Sequence, residues 1–403
     1  MAGVAEGCPA PMTFLTPTSE AEVASLIREA REKAQPLSIR GGGTRAGLGR
    51  PIQSSATLSV EKLTGITLYE PAEMVIGARA GTPLSEVEAA LAEKGQMLPF
   101  EPMDHRTLFG TSGEPTIGAI AAGNISGPRR IMVGAARDSL IGVRFVNGRA
   151  EIIKTGGRVM KNVTGLDLVK LQAGAHGTLG VLTEVIFKVL PRYETAVTMA
   201  YPGLSDDKAI KALSLALGSP FEVTGAAHLT AGLGRDTART LIRLEGFRAS
   251  LDYRVPELGK LLAAFGQPNM IEGEAHDRLW RGIRDAEFIA EPRDHAIWRI
   301  SVAPSKAAGV VAAIGVGRAL YDWGGGLIWL AVAPESDASA IGIRAVARQA
   351  GGHATLVRAS DELRARVDVF EPLNPALAKI TAGIKTSFDP DRVLNPGLMY
   401  AEV

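Results

Sequence analysis

The sequence predicts an α+β protein of at least two units, a glycine-rich unit followed by an antiparallel sheet with helices on one face. Three glycine clusters, at 41–49, 110–134 and 174–180, all precede residue 192. Beyond it "TAVTMAYP", "FEVTGAAHL", "TLIRLEGF", "IWRISVAP" and "GLIWLAVAP" read as strands, separated by helices over 205–217, 249–265 and 338–349. The boundary falls near 192–195. A chain of 403 residues with 46% apolar content can bury two or three ordinary cores.

In chain order, Thr18 or Ser19 caps a helix whose Val23, Leu26, Ile27 and Ala30 share one face, and Ser19 with Glu22 forms a capping box. A strand over 37–40 follows. A strand through Val75 and Ile76 leads to Thr82 as N-cap, Pro83 at the first helical position, Leu84, Val87 and Leu91 inward, and Gly95 past the end. "LIGVRFVNGRAEIIK" predicts a hairpin in which Asn147 and Gly148 supply the positive φ values of a tight turn. "GAHGTLGVLTEVIFKVLP" places Gly174, Gly177 and Gly180 before a strand ending at Pro191. "DYRVPELGK" and the acidic residues of 272–277 read as solvated faces, and "YDWGGGLIWL" sets Trp323 and Trp329 around three glycines, as core or as an edge for a partner. "FDPDRVLNPGLMY" reads as an ordered tail, because a free one has little use for Phe388, Leu394 and Tyr400.

The first cluster, "IRGGGTRAGLGRP", contains a dinucleotide fingerprint, G-x-G-x-x-A, at Gly41, Gly43 and Ala46. That fingerprint requires a helix to start inside it, with its N-terminus facing the pyrophosphate. Gly47, Gly49 and Pro51 work against a helix there. What survives is glycine-rich backbone whose successive amides can form a nest for an anion, or a simple tight turn.

The charge balance, 44 basic against 43 acidic residues, supplies no field for nucleic acid. No apolar run spans a bilayer and the first residues lack the pattern of a leader, so the expected address is the cytoplasm. Cys8 is the only cysteine, which leaves no internal disulfide and no cysteine-ligated cluster within this chain. The six histidines, at 105, 176, 228, 276, 295 and 353, are scattered without metal-ligand spacing.

Four stretches, "IRGGGTRAGLG", "PTIGAIAAGNISGP", "TGLDLVKLQAGAHGTLGVLTE" and "DRVLNPG", resemble in order and spacing the FAD-linked oxidases of the p-cresol methylhydroxylase (PCMH) and vanillyl-alcohol oxidase type. Within that family, "GGRVMKNVTGLDLVKLQAGAHGTLGVLTEV" and "FDPDRVLNPG" are most similar to the FAD-binding subunits of bacterial glycolate oxidases. The resemblance implies an N-terminal segment 1–17, a two-part PCMH-type FAD-binding domain over 18–193, an α+β cap domain over 194–385 and a tail over 386–403 that returns to the FAD domain. It implies cofactor contacts from Arg40, Gly41, Gly42, Gly43, Thr44, Gly47 and Leu48 in the first loop, and Thr116, Ile117, Gly118, Asn124, Ser126 and Gly127 in the second. Gly177, Thr178, Leu179, Gly180 and Val181 belong to the third, and Asn395 to the tail. Asp167 is expected to be structural, capping a turn. Relatives that bind FAD covalently do so through a histidine in the first loop, where this chain has Thr44; the implied FAD is non-covalent.

The resemblance further implies oxidation of a small 2-hydroxy acid, glycolate, in a complex with a second flavin subunit and an iron–sulfur subunit. That complex would be cytoplasmic or held at the inner membrane by its partners. The G-H-x-G-D-G-N-x-H metal motif of related 2-hydroxyacid dehydrogenases is missing, which fits a subunit dependent on a partner's active site. The alternative is a self-sufficient dehydrogenase of another 2-hydroxy acid or alcohol. It needs a base, for which His353 is the candidate, and a carboxylate anchor, for which Arg299 and Arg358 are candidates; the reading as an ordinary structural, surface or ion-paired residue is the preferred one for each. His176 reads as a packing or hydrogen-bonding residue beside the flavin. A third reading is a flavin-fold scaffold without catalysis.

Overall fold

The structure, a computed structural model, describes residues 13–157, 166–401 and 403. Cys8 and the motif residues within 158–165 lie outside them. Among the described residues the glycine-rich part holds ten strands: β1 (Thr13–Leu15), β2 (Leu37–Arg40), β3 (Ala56–Ser59), β4 (Ile66–Glu70), β5 (Val75–Arg79), β6 (Gln96–Met97), β7 (Leu140–Val146), β8 (Ile152–Gly156), β9 (Val181–Lys188) and β10 (Leu190–Pro191). β1, β3 and β2 form a parallel sheet in that order, and β4-β5-β9-β7-β8 an antiparallel one. The helix Glu20–Glu32 begins as the capping residues require: Ser19 Oγ accepts from Glu22 N at 3.2 Å, and Val23, Ile27 and Ala30 are buried.

Two local expectations shift. The helix Leu84–Glu93 has Pro83 as N-cap, while the Thr82 hydroxyl is spent outside the helix, donating to Arg79 O at 2.7 Å and accepting from Gly65 N at 3.0 Å. The β7–β8 connection is five residues long, since Val146 pairs with Ile152. Its positive φ belongs to Ala150, and the Asn147 side chain accepts from Arg149 N and Glu151 N. Gly148 is needed for closeness instead: its N–H donates to Phe388 O at 2.9 Å, and a Cβ would overlap the Asp389 carboxylate.

Eight further strands, β11 (Thr195–Pro202), β12 (Val223–Leu229), β13 (Arg239–Gly246), β14 (Asn269–Glu272), β15 (Ala296–Ser301), β16 (Arg318–Asp322), β17 (Leu327–Val332) and β18 (His353–Arg358), make one antiparallel sheet, ordered β14-β11-β13-β12-β16-β17-β15-β18. Alternation decides its two faces. Ile242, Leu244, Trp298, Ile300, Ile328 and Leu330 point into a core shared with the helices Asp206–Leu217, Arg248–Leu261, Ala307–Ile314 and Ala340–Gln349. The opposite face carries Leu241, Ile297, Trp329 and Ala331 into a core continuous with the glycine-rich part, and carries Arg243, Glu245 and Arg299 as well. The supposed solvated faces are partly interior: Arg254 is buried, donating to Phe221 O and Glu245 O, and so is His276 on the helix Gly273–Arg284.

The last ordered stretch runs back to β2. Leu394 bridges Leu37 in parallel, and the helix Pro375–Phe388 leads into that turn, spanning residue 385, where the cap was expected to end. Among the described residues no helix is long and apolar enough to cross a membrane.

Candidate functional site

A cleft of about 480 Å³ lies where the three glycine loops meet the returning chain. Its size falls within the range of small-molecule sites. Residues 41–50 are turns and bends with no helix among them, as Gly47, Gly49 and Pro51 require. The first and second loops run backbone to backbone: a Cβ on Gly42 would overlap the Glu114 carbonyl, and one on Gly113 the Gly42 carbonyl. Gly118, in the helix Ile117–Gly123, lies so close to Ala80 that a Cβ would stand 2.5 Å from its methyl group. Beside Gly41, the buried Thr116 hydroxyl has no hydrogen-bond partner among the described residues. Bare amides, a close-packed double loop and an unsatisfied buried hydroxyl fit an elongated, anion-bearing cofactor.

The third loop is registered by the tail. Asn395 spends both ends of its amide on protein: Oδ1 accepts from Ile39 N at 2.7 Å and Nδ2 donates to His176 O at 2.8 Å. Deeper, the fully buried Lys385 ammonium donates to Thr178 O and Leu394 O, both at 2.7 Å, and pairs with the equally buried Asp389 at 2.8 Å. Asp389 in turn accepts from Val393 N and Leu394 N.

Arg40, Gly41, Gly43, Thr44, Leu48, Gly118, Gly177, Gly180, Val181 and Asn395 line the cleft. The other expected residues stand behind it. Gly42 spaces the loops and Gly47 lies against the Phe109 ring. Thr116 and Ile117 start the helix that Asn124 ends, its Oδ1 accepting from Arg137 N at 2.8 Å. Ser126 Oγ accepts from Ala136 N, Gly127 O accepts from Trp323 Nε1, Thr178 Oγ1 donates to Ala175 O, and Leu179 is core. Asp167 caps the helix Leu168–Gln172.

Sequence reasoning missed Arg45. It lines the cleft, its Nη2 donates to Ala119 O at 3.0 Å, and burial lowers its pKa to about 10. A Cβ on Gly123 would overlap its guanidinium, so that glycine is a sequence signal for it. His176 lines the same cleft, and burial, then Arg45, push its pKa down to about 3, which keeps the ring neutral.

The glycine-rich part is locked to the large sheet by buried ions. Arg243 donates to both Glu101 oxygens, at 2.9 and 2.8 Å, and Arg129 pairs with Glu245. Burial pushes the Glu101 carboxyl up, but Arg243 and Arg129 together outweigh it and hold it below the ordinary range. Of the sequence candidates for substrate contact, Arg358 is spent on the carbonyls of Leu108, Ala290, Pro292 and His295. His353 stands exposed at the start of β18. Arg299 is half-buried, its pKa brought to about 10 by burial and then Arg130, and has no ion pair with another described residue. Among the described residues no cluster of His, Cys, Asp or Glu could hold a metal ion.

Comparison with known proteins places this architecture. A family model described as "FAD binding domain" matches residues 11–156. Glycolate oxidase subunit GlcE of Escherichia coli (strain K12) is 36% identical over 377 residues, covering 94% of this chain and 96% of that protein. The chain belongs to the GlcE-type FAD-linked oxidases. Glycolate oxidase subunit GlcD of Bacillus subtilis (strain 168) is 29% identical over 190 residues, 47% of this chain and 39% of that one. Among solved structures, 4-ethylphenol oxidase from Gulosibacter chungangensis superposes with a TM-score of 0.70 at 14% identity, covering 96% and 89% of the two chains, which shows the PCMH-type fold. The GlcE-type chain is therefore an FAD-dependent oxidoreductase, and the nested amides of its cleft suit FAD.

Two neutral histidines make the GlcE-type chain acid-sensitive. Burial, then Arg243, lowers His276 to about 4, while its Nδ1 accepts from Thr198 Oγ1 at 2.8 Å, that hydroxyl being fixed in turn by Trp280 Nε1. His176 and His276 both titrate below their ordinary pKa in the folded state, so the unfolded chain takes up their protons first. Stability is full above about pH 6.5 and falls as the pH drops toward 4. Urea titrations at a series of pH values should show this, and His276→Gln should flatten the slope over that window.

Proposed function

We propose that this chain is the FAD-binding subunit of a complex that oxidises glycolate to glyoxylate, with a second flavin subunit and an iron–sulfur subunit carrying the electrons onward. The match to a glycolate oxidase subunit over 94% of the chain carries the reading. A single cysteine supports it, because an onward electron carrier with cysteine ligands has to come from another chain. On this reading residues 18–193 bind the cofactor, 194–385 form the cap and 386–403 close the site. The first-loop amides of Gly41 to Thr44 hold the pyrophosphate, the second and third loops flank it, and Asn395 holds those loops in register from the flavin end. The bound flavin supplies the hydride acceptor. The complex is cytoplasmic, or associated with the inner membrane through its partners.

The test is coexpression with the adjacent reading frames. The complex should co-purify and turn over glycolate, while the isolated chain should hold FAD with little turnover; full glycolate dehydrogenase activity from the chain alone would refute the partner-dependent reading. With Thr44 where a covalent anchor would stand, acid precipitation should leave the protein colourless and all flavin in the supernatant.

One observation favours the self-sufficient alternative. Arg299, half-buried and without an ion pair among the described residues, is suited to a substrate carboxylate. A screen of 2-hydroxy acids for flavin bleaching by the isolated chain separates the two.

A further inference from the structure

The indole of Trp323 carries two guanidiniums drawn from opposite sides of the junction between the glycine loops and the large sheet. Arg130, on the helix Arg130–Val133, lies 4.5 Å from the ring centroid, and Arg299, on β15, lies 5.3 Å from it. Both are within the reach of a cation–π contact, about 6 Å. Neither guanidinium forms a hydrogen bond or ion pair with another described residue. An aromatic ring occupies the face of a guanidinium and leaves its N–H edge free, which is the edge that grips a carboxylate in bidentate fashion.

The ring itself is held firmly. Trp323 Nε1 donates to Gly127 O at 3.0 Å, tying the indole to the second glycine loop. Asp322 accepts from Trp323 N at 2.7 Å, and the Trp323 backbone sits at φ +53, a left-handed conformation that a bulky residue seldom adopts. Gly324 and Gly325 follow at φ +67 and +103, pressed onto the helix Asp206–Leu217: a Cβ on Gly324 would overlap Leu217, and one on Gly325 would stand 2.8 Å from Ile210. All three residues, Arg130, Arg299 and Trp323, remain half-buried, so their outer edges reach solvent.

We propose that Trp323 is a positioning residue that holds Arg130 and Arg299, one from each side of the junction, as a paired receiver for the carboxylate of a small 2-hydroxy acid. The substrate class rests on the 2-hydroxy-acid oxidation proposed above, whether this chain acts with its partners or alone. Two like charges on one ring repel, and an arriving carboxylate relieves that repulsion while taking both free edges. Because the indole is bonded to the loop carrying Gly127, the receiver forms only when the large sheet is docked on the glycine loops.

The test uses the full chain loaded with FAD and oxalate as the carboxylate probe, titrated by calorimetry. Wild type should bind oxalate, and Trp323→Leu should weaken it roughly 10-fold or more, with FAD affinity within about 2-fold of wild type. Trp323→Phe, which keeps a π face, should restore most of the affinity. Arg299→Met should weaken oxalate as well, and less than additively with Trp323→Leu, because the ring acts through the arginine. Trp323→Met makes the same comparison if the leucine variant does not load FAD. The proposal is overturned if wild type does not bind oxalate, if the leucine and methionine variants bind it as wild type does, or if Arg299→Met leaves it unchanged. Trp323-dependent oxalate binding in a complex that ignores glycolate would reject the proposed function alone. Glycolate turnover with Trp323-insensitive oxalate binding would reject only the positioning role.

Discussion

Lys385→Met lowers the stability of the chain by about 3–5 kcal/mol, the expected result of removing one partner from a buried ion pair. Asp389 would keep the N–H groups of Val393 and Leu394 but lose its partner cation, and the carbonyls of Thr178 and Leu394 would each lose a donor at 2.7 Å. Thr178 belongs to the third glycine loop and Leu394 precedes Asn395, so the same change should loosen the cleft and weaken FAD binding. The double variant Lys385→Met with Asp389→Asn should recover part of the loss, since no lone charge then stays buried. Urea unfolding with and without FAD measures both effects. A loss below about 1 kcal/mol would show that the ammonium is replaceable by water, contrary to the argument.

Gly42→Ala is the second large effect. The clash is between a methyl group and the Glu114 backbone carbonyl, so no rotamer relieves it and one of the two loops must move. Overpacking of this kind destabilises by about 1–3 kcal/mol. Because both loops carry expected cofactor contacts, FAD affinity should fall by roughly 10- to 100-fold, the equivalent of 1.4–2.8 kcal/mol. Gly383→Ala is the control. That glycine lies in the helix Pro375–Phe388 with no atom within 4 Å of a new Cβ, and alanine there should stabilise by about 0.5–1 kcal/mol without touching the flavin. FAD titrations of the two variants should diverge; equal affinities would mean that the loops can separate without consequence.

The features readable from sequence are those decided by near neighbours. The Ser19 cap, the breakers after Gly43 and the strand pattern from Thr195 onward each follow from a few adjacent residues, although the Glu22 carboxylate closes on Thr18 N and not on the Ser19 amide of a full capping box. Local rules also explain the small errors: a hydroxyl such as Thr82 can bond groups outside the helix, here Arg79 O and Gly65 N, and Asn147 can close a longer turn through its side chain. The glycine loops were visible as composition, but their purpose was only half visible. Gly42 and Gly148 serve the close approach of a chain segment distant in sequence, which composition does not reveal.

The site chemistry was less legible because its pairings span most of the chain. Glu101 meets Arg243, Arg130 and Arg299 meet at Trp323, and Lys385 reaches Thr178. An isolated arginine reads the same whether it ends on carbonyls, as Arg358 does, or lies over an aromatic ring without an ion pair among the described residues, as Arg299 does. Burial divides them, and burial is a property of the assembled sheet.

The clasp between Asn395 and the amide of Ile39 joins positions 356 residues apart. During synthesis the strand that enters the first glycine loop emerges early, yet its partner follows the whole eight-stranded sheet. A nascent chain therefore passes most of its elongation with the cleft lacking one wall, and loading of the cofactor becomes an event of late folding. A premature stop between β18 and Asn395 would leave every glycine loop intact and still yield a protein unable to close around its flavin.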